Sequence, residues 1–202
     1  MLIRRAELKD ATGIAQVQVA AWRSAYRGLL PDDVLERLSI ADSARRWQGR
    51  IAQHWGHIFV AEREGIVGFA ACGENSDEDV DQEKVAELYV IYVHPAEWRK
   101  GHGRALWQEA LRCLQKEGFE HVILWVLRGN ERAISFYERL GFAADGASRI
   151  KRRSDGTEMP VVRYRRRVAP AYIIKETALD GDHANYVGHG KYVIEDSPLL
   201  KR

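Results

Sequence analysis

The sequence predicts an α+β fold, one central sheet with helices on both of its faces. Short runs rich in Val, Ile and aromatic residues recur along the chain, and two of them, 85–93 and 121–127, are apolar enough to be buried central strands. Around them lie segments with apolar residues at helical spacing. Gly, Pro and Asp punctuate most of the boundaries.

Each element follows in order. Residues 2–5 read as a first strand. Asp10 can cap a helix whose apolar positions Ile14, Val17, Ala21 and Ala25 repeat at helical spacing, and Gly28 can end it. Pro31-Asp32-Asp33 starts a second helix reaching about Leu38, and a third spans 41–55. Strands 58–63 and 66–72 form a hairpin around Glu64-Gly65, followed by a polar loop over 74–84. The strand 85–93 ends at His94-Pro95. A helix carrying Leu106, Ala110, Cys113 and Leu114 on one side then runs to Gly118, and the strand 121–127 follows. A helix over 131–140 stops at Gly141, and strands 148–153 and 159–167 close the sheet around Asp155-Gly156.

The 202 residues suffice for one full core and an appendage, and 46% hydrophobic with 30% charged residues is the profile of a packed protein. A catalytic-size domain is expected over 1–168, with an extension over 169–202. Pro170 marks the break; 172–174 and 192–194 could be added strands, and the extension reads equally as an ordered arm or a tail. A net charge of +2 gives no reason to expect nucleic acid or a membrane as partner. Eight basic residues between Arg149 and Arg167 face only Asp155 and Glu158. They are expected at outward positions of the closing hairpin, with attraction of an anion as the alternative. Cys72 and Cys113 lack metal-type spacing and read as free buried thiols, so no metal is expected. The N-terminus lacks the apolar run of a signal peptide and no segment offers eighteen apolar residues, from which a cytoplasmic location is expected.

The segment between Val93 and Leu106 carries the strongest functional signal. A strand ends at Val93-His94-Pro95, and Glu97-Trp98-Arg99-Lys100-Gly101-His102-Gly103-Arg104 opens a helix. Glycines let backbone N–H groups turn toward a ligand and the helix N-terminus adds partial positive charge, so this turn can hold a diphosphate. Two glycines at such a turn also arise for steric reasons. A Walker loop would need Lys-Ser/Thr after its glycine, where Arg104-Ala105 stand, and a dinucleotide loop would need glycine in place of Leu106.

This stretch resembles the GCN5-related N-acetyltransferase (GNAT) family, whose central motif is a strand, a Pro, then Arg/Gln-x-x-Gly-x-Gly/Ala opening a helix. Two further blocks match: Leu124-Trp125-Val126-Leu127-Arg128-Gly129-Asn130 with Ala133 and Phe136-Tyr137-Glu138-Arg139-Leu140-Gly141-Phe142, and Trp22, Tyr26 and Gly28 before Pro31. The resemblance spans about 2–168. It departs from the motif at Trp98, which stands where the family has Arg or Gln. It implies a mixed, mostly antiparallel sheet in which the strand before the coenzyme loop splays from its neighbour. It further implies acetyl-CoA as cosubstrate, a primary amine as acceptor and no metal; dimers are common in the family.

Acetyl transfer from a thioester needs a neutral amine, stabilisation of the carbonyl oxygen, and a proton for the leaving thiolate. A lysine-type amine, with a pKa of about 10.4, is free base in only about one molecule in 10³ at neutral pH, so a base is expected. By resemblance that base is Glu87, with His94 a weaker candidate; pairing with a basic neighbour is the competing account of Glu87. The resemblance implies Tyr137 as general acid, although helical spacing from Ala133 and Leu140 equally suits a core residue. The main-chain groups of Ile91 and Val93 would receive the pantetheine arm, the amides from Arg99 through Lys100, Gly101, His102 and Gly103 to Arg104 the diphosphate. Asn130, Ala133 and Phe136 would contact the coenzyme, Asn130 being as well explained as a helix cap. Trp22, Tyr26 and Trp47 are candidates for the acceptor wall or for the core. Direct attack by the amine is the expected mechanism, and a catalytically silent acyl-CoA-binding regulatory module is the alternative.

Overall fold

The computed structural model describes residues 1–168. The extension expected over 169–202, with its two candidate strands, lies outside the described residues. Seven strands form one sheet in the order β1-β2-β3-β4-β5-β7-β6. In chain order the strands are β1 (Leu2–Arg5), β2 (His57–Glu62), β3 (Ile66–Glu74), β4 (Val85–Val93), β5 (His121–Leu127), β6 (Ala143–Arg152) and β7 (Glu158–Arg167). The helices are α1 (Ala11–Ala25), α2 (Asp32–Glu36), α3 (Ile40–Ala52), α4 (His102–Lys116) and α5 (Glu131–Arg139). The pairings are antiparallel except for β4 with β5, which is parallel.

The two faces of the sheet bury different helices. On one, Ile14 and Val17 of α1 and Trp47 of α3 pack on Ile58, Val60, Phe69 and Ala71. On the other, Leu106, Trp107, Ala110 and Leu114 of α4 pack on Ala70, Leu88, Val122 and Leu124. The spacing of those α4 residues makes the apolar stripe, and β2 and β3 are buried on both sides because a helix covers each.

Several expectations change in detail. Asp10 precedes α1 but does not cap it: its carboxylate accepts from Arg4 at 2.6 and 2.9 Å and from the Glu7 N–H at 2.8 Å. The third helix starts one residue early because Ser39 caps it, accepting from the Asp42 N–H. β6 begins at Ala143 rather than 148, its pairing interrupted between Ala144 and Ser148 by a bulge holding Asp145 and Gly146. The basic hairpin is not uniformly outward. Arg163 is buried, with Nη1 2.7 Å from Asp79, Nε 2.7 Å from Asp145 and Nη1 3.3 Å from Asp77. Three carboxylates make its burial tolerable and fasten the loop before β4 to β6 and β7. Of the two thiols Cys72 is buried and Cys113 half-buried.

Candidate active site

β4 and β5 pair only over Val85–Glu87 against His121–Ile123, after which no ladder joins them. A cleft of about 890 Å³ opens there, reaching from Tyr89 to the N-termini of α4 and α5. A more open depression lined by Arg23, Arg27 and Glu36 contains none of the expected site residues.

The register of β4 decides which backbone groups face the cleft. His94 N–H donates to Val67 of β3 at 2.8 Å, so alternation along the strand turns the N–H and C=O of Ile91 and Val93 the other way, into the gap. A bulge contributes as well: Ala71 pairs with Val90 and Cys72 with Leu88, leaving Tyr89 without a partner. Val93 is only half available. Its carbonyl accepts from the indole Nε1–H of Trp98 at 2.8 Å, so the residue that departs from the motif plugs the outer end of the splay.

At that end the chain turns twice through left-handed conformations, at Arg99 (φ 63) and Gly101 (φ 86), before entering α4. The first intrahelical bond is Ala105 N–H to the Gly101 carbonyl, which leaves the amides of His102, Gly103 and Arg104 free at the positive end of a 15-residue helix. Gly101 is needed for its backbone angle. Gly103 is needed for space, since a Cβ there would stand 3.1 Å from Cζ of Phe136. The side chains around the turn are partly engaged: Lys100 and His102 bind Glu97 at 2.8 and 3.0 Å, and with Arg63 hold its carboxyl down at about 2. His102 can therefore offer the cleft its amide but not its ring.

Asn130 caps α5, accepting from the Ala133 N–H at 3.2 Å, and lines the cleft together with Ala133 and Phe136. Tyr137 lies one residue further, half-buried against Phe136 and Phe142. Burial, and then the nearby Tyr92, push its phenol above the usual tyrosine range. Tyr26 crosses from α1 and meets Tyr92 hydroxyl to hydroxyl at 3.2 Å, its own phenol raised by burial first. Three protonated phenols thus converge where the strands part.

Residues 19–142 match the acetyltransferase (GNAT) family. The chain belongs to that family. The uncharacterised N-acetyltransferase YuaI of Bacillus subtilis is 33% identical over 138 residues, 67% of this chain and 76% of that protein. An uncharacterised N-acetyltransferase of Methanocaldococcus jannaschii is 42% identical over 86 residues, 42% of this chain but only 38% of its own length. Among solved structures, the PaiA N-acetyltransferase of Thermoplasma acidophilum in complex with coenzyme A has a TM-score of 0.63 at 23% identity, covering 80% of this chain and 96% of that one. The protein yncA of Salmonella typhimurium, solved with acetyl-CoA, has a TM-score of 0.60 at 20% identity, covering 94% of this chain and 99% of that one. These two show the shared GNAT fold.

The remaining expected residues fall around the GNAT cleft rather than in it. Glu87 is buried on β4 just before the splay, with Lys151 Nζ 3.8 Å away; burial raises its carboxyl and Lys151 opposes the shift. Trp22 stands behind Tyr26, edge-on at 4.9 Å, with Arg153 over its ring. Trp47 is core: it is 1% exposed, packs edge-on against Phe69 and donates to Gln18 at 2.7 Å. Tyr92 was missed, although alternation along β4 sets it with Val90 on the face opposite Ile91 and Val93, the one that α1 covers. One group of metal-type side chains exists among the described residues, His57, Cys113 and Glu117, but it lies outside the cleft with Arg5 3.1 Å from the His57 Nδ1.

Proposed function

We propose that residues 1–168 transfer the acetyl group of acetyl-CoA to a primary amine by direct attack. The observation that carries this reading is the splay: the main-chain N–H and C=O of Ile91 and the N–H of Val93 open toward the amides of His102, Gly103 and Arg104 and the Tyr137 phenol. In this reading the thioester lies along β4 with its carbonyl oxygen toward main-chain N–H donors, which preorganised in a dry site contribute about 3 kcal/mol to the transition state. The amine attacks the thioester carbon, the C–S bond breaks, and the thiolate takes a proton held at Tyr137 Oη. The thiolate of a thiol of pKa about 8.5 is a weaker base than the phenolate, so the proton moves in concert with C–S cleavage, as negative charge builds on sulfur, rather than before it.

Tyr26 and Tyr92 form the inner wall of the acceptor side, with Trp22 bracing Tyr26. Glu87 accepts the amine proton through water, because Tyr89 and Trp125, not Glu87 itself, line that end of the cleft. The test is release of free coenzyme thiol in a screen of amine acceptors, repeated with Tyr137→Phe. A loss of about 10²-fold or more in kcat with coenzyme binding retained is expected. Unchanged turnover would remove Tyr137 from the mechanism.

A further inference from the structure

Trp98 and Arg132 form a unit that neither the motif nor the proposed chemistry uses. Trp98 is fixed by its indole bond to the Val93 carbonyl, 2.8 Å long. The guanidinium of Arg132, on the first turn of α5, lies 4.0 Å from the centroid of the Trp98 ring. Both side chains line the cleft at the end where α4 and α5 begin.

The placement of Arg132 is costly without an anion. A cation in the first turn of a helix opposes the helix dipole, and here the N-terminus of α4 adds a second positive end nearby. Arg132 forms no ion pair among the described residues, whereas Lys100 on the same rim is paired with Glu97. Stacking on an indole holds a guanidinium plane in one orientation while leaving its edge N–H groups free to donate. That geometry suits an oxyanion of a phosphate group.

We propose that Arg132, held by the Trp98 ring, clamps a phosphate of the coenzyme, and so supplies from α5 the side-chain contact that Trp98 cannot make itself. Trp98 is then a positioning residue: it seals the outer end of the splay and orients the clamp. The inference rests on the coenzyme reading of the cleft.

The experiment measures coenzyme A binding to the full chain by calorimetry for the wild type, Arg132→Ala, Trp98→Leu and the double variant. Arg132→Ala should weaken binding about tenfold or more, equal to about 1.4 kcal/mol, and raise the KM for acetyl-CoA by more than it lowers kcat. In the Trp98→Leu background the same change should cost less than about twofold, because the platform is already gone. Repeating the series with 3′-dephospho-coenzyme A identifies the phosphate: a retained penalty assigns the diphosphate, a lost one the 3′-phosphate. Arg132 is exposed, so its variant keeps the test sound even if Trp98→Leu fails to fold. Wild-type affinity in Arg132→Ala, or penalties that simply multiply in the double variant, would overturn the proposal. A wild type that does not bind coenzyme A would instead overturn the function proposed above.

Discussion

Gly103→Ala separates two reasons for a glycine at the turn into α4. Gly103 is absent from the residues with positive φ, so alanine can adopt its backbone. The obstacle is Phe136, whose Cζ and Cε2 would lie 3.1 and 3.3 Å from the new methyl. Carbon pairs prefer about 3.5–4.0 Å, so the ring must retreat by about half an ångström. Overpacking costs about 1–3 kcal/mol, and the lower end applies because Phe136 has cleft space on one side. Replacing a helical glycine by alanine returns about 0.5–1 kcal/mol, leaving net stability within about 1 kcal/mol of the parent and Tm within about 4 °C. The damage should appear in binding instead, because the ring moves into the coenzyme's space: a loss of about fivefold to tenfold for acetyl-CoA in calorimetry. Gly103→Ala/Phe136→Leu should recover most of it. A double variant as defective as Gly103→Ala would mean that the glycine serves backbone approach to the ligand, and the steric argument would be wrong.

Other outcomes follow from the charge network. Arg163→Met should cost about 3 kcal/mol in denaturant unfolding, since Asp77 keeps Trp125 and Arg149 as partners but Asp145 is left partly buried; a loss below 1 kcal/mol would show that the three carboxylates rehydrate freely. Lys151 lowers the carboxyl of Glu87, which burial holds above its ordinary value. If Glu87 is the base, the acid limb of kcat/KM lies above the usual carboxylate range, Lys151→Met moves it to higher pH, and Glu87→Gln abolishes it; a limb that stays put in Lys151→Met refutes the coupling. Asp10 is held below its ordinary value chiefly by hydrogen bonds from Arg4. A depressed carboxyl stabilises the fold above its unfolded pKa and loses that contribution as pH falls through the folded value. The Tm gap between the parent and Asp10→Asn should therefore be full at neutral pH and close below about pH 3.8, the ordinary aspartate range.

The sequence was most readable where one local rule governs the outcome. β4 and β5 fall at their expected limits because runs that are apolar at nearly every position, Glu87 apart, and bounded by turn residues have one interpretation, and α4 follows from its stripe. Harder cases involve partners distant in sequence. The bulged first half of β6 has no alternating pattern in Ala143-Ala144-Asp145-Gly146-Ala147, and exists because β7 lies beside it. Nothing local marks Arg163 for burial, since its three acceptors lie on the loop before β4 and on β6. Trp47 and Tyr26 are both aromatic residues near the N-terminus, yet one fills the core and the other reaches the cleft. The deciding partners, Gln18 and Phe69 against Tyr92, become visible only in three dimensions. The cleft was legible through its motif, whereas the role of Trp98 required seeing its indole reach Val93.

The three-residue zipper between β4 and β5 has a mechanical consequence. Four strands on one side and three on the other are stitched by main-chain bonds only at the base of a V, so an occupant with its own amide groups serves as a missing rung. Such an occupant would tie the sheet together as it reacts. The amide protons of Ile91 and Val93 should exchange slowly with the coenzyme in place and quickly once it leaves, and a ligand at 100 times its Kd should add about 2.7 kcal/mol of stability.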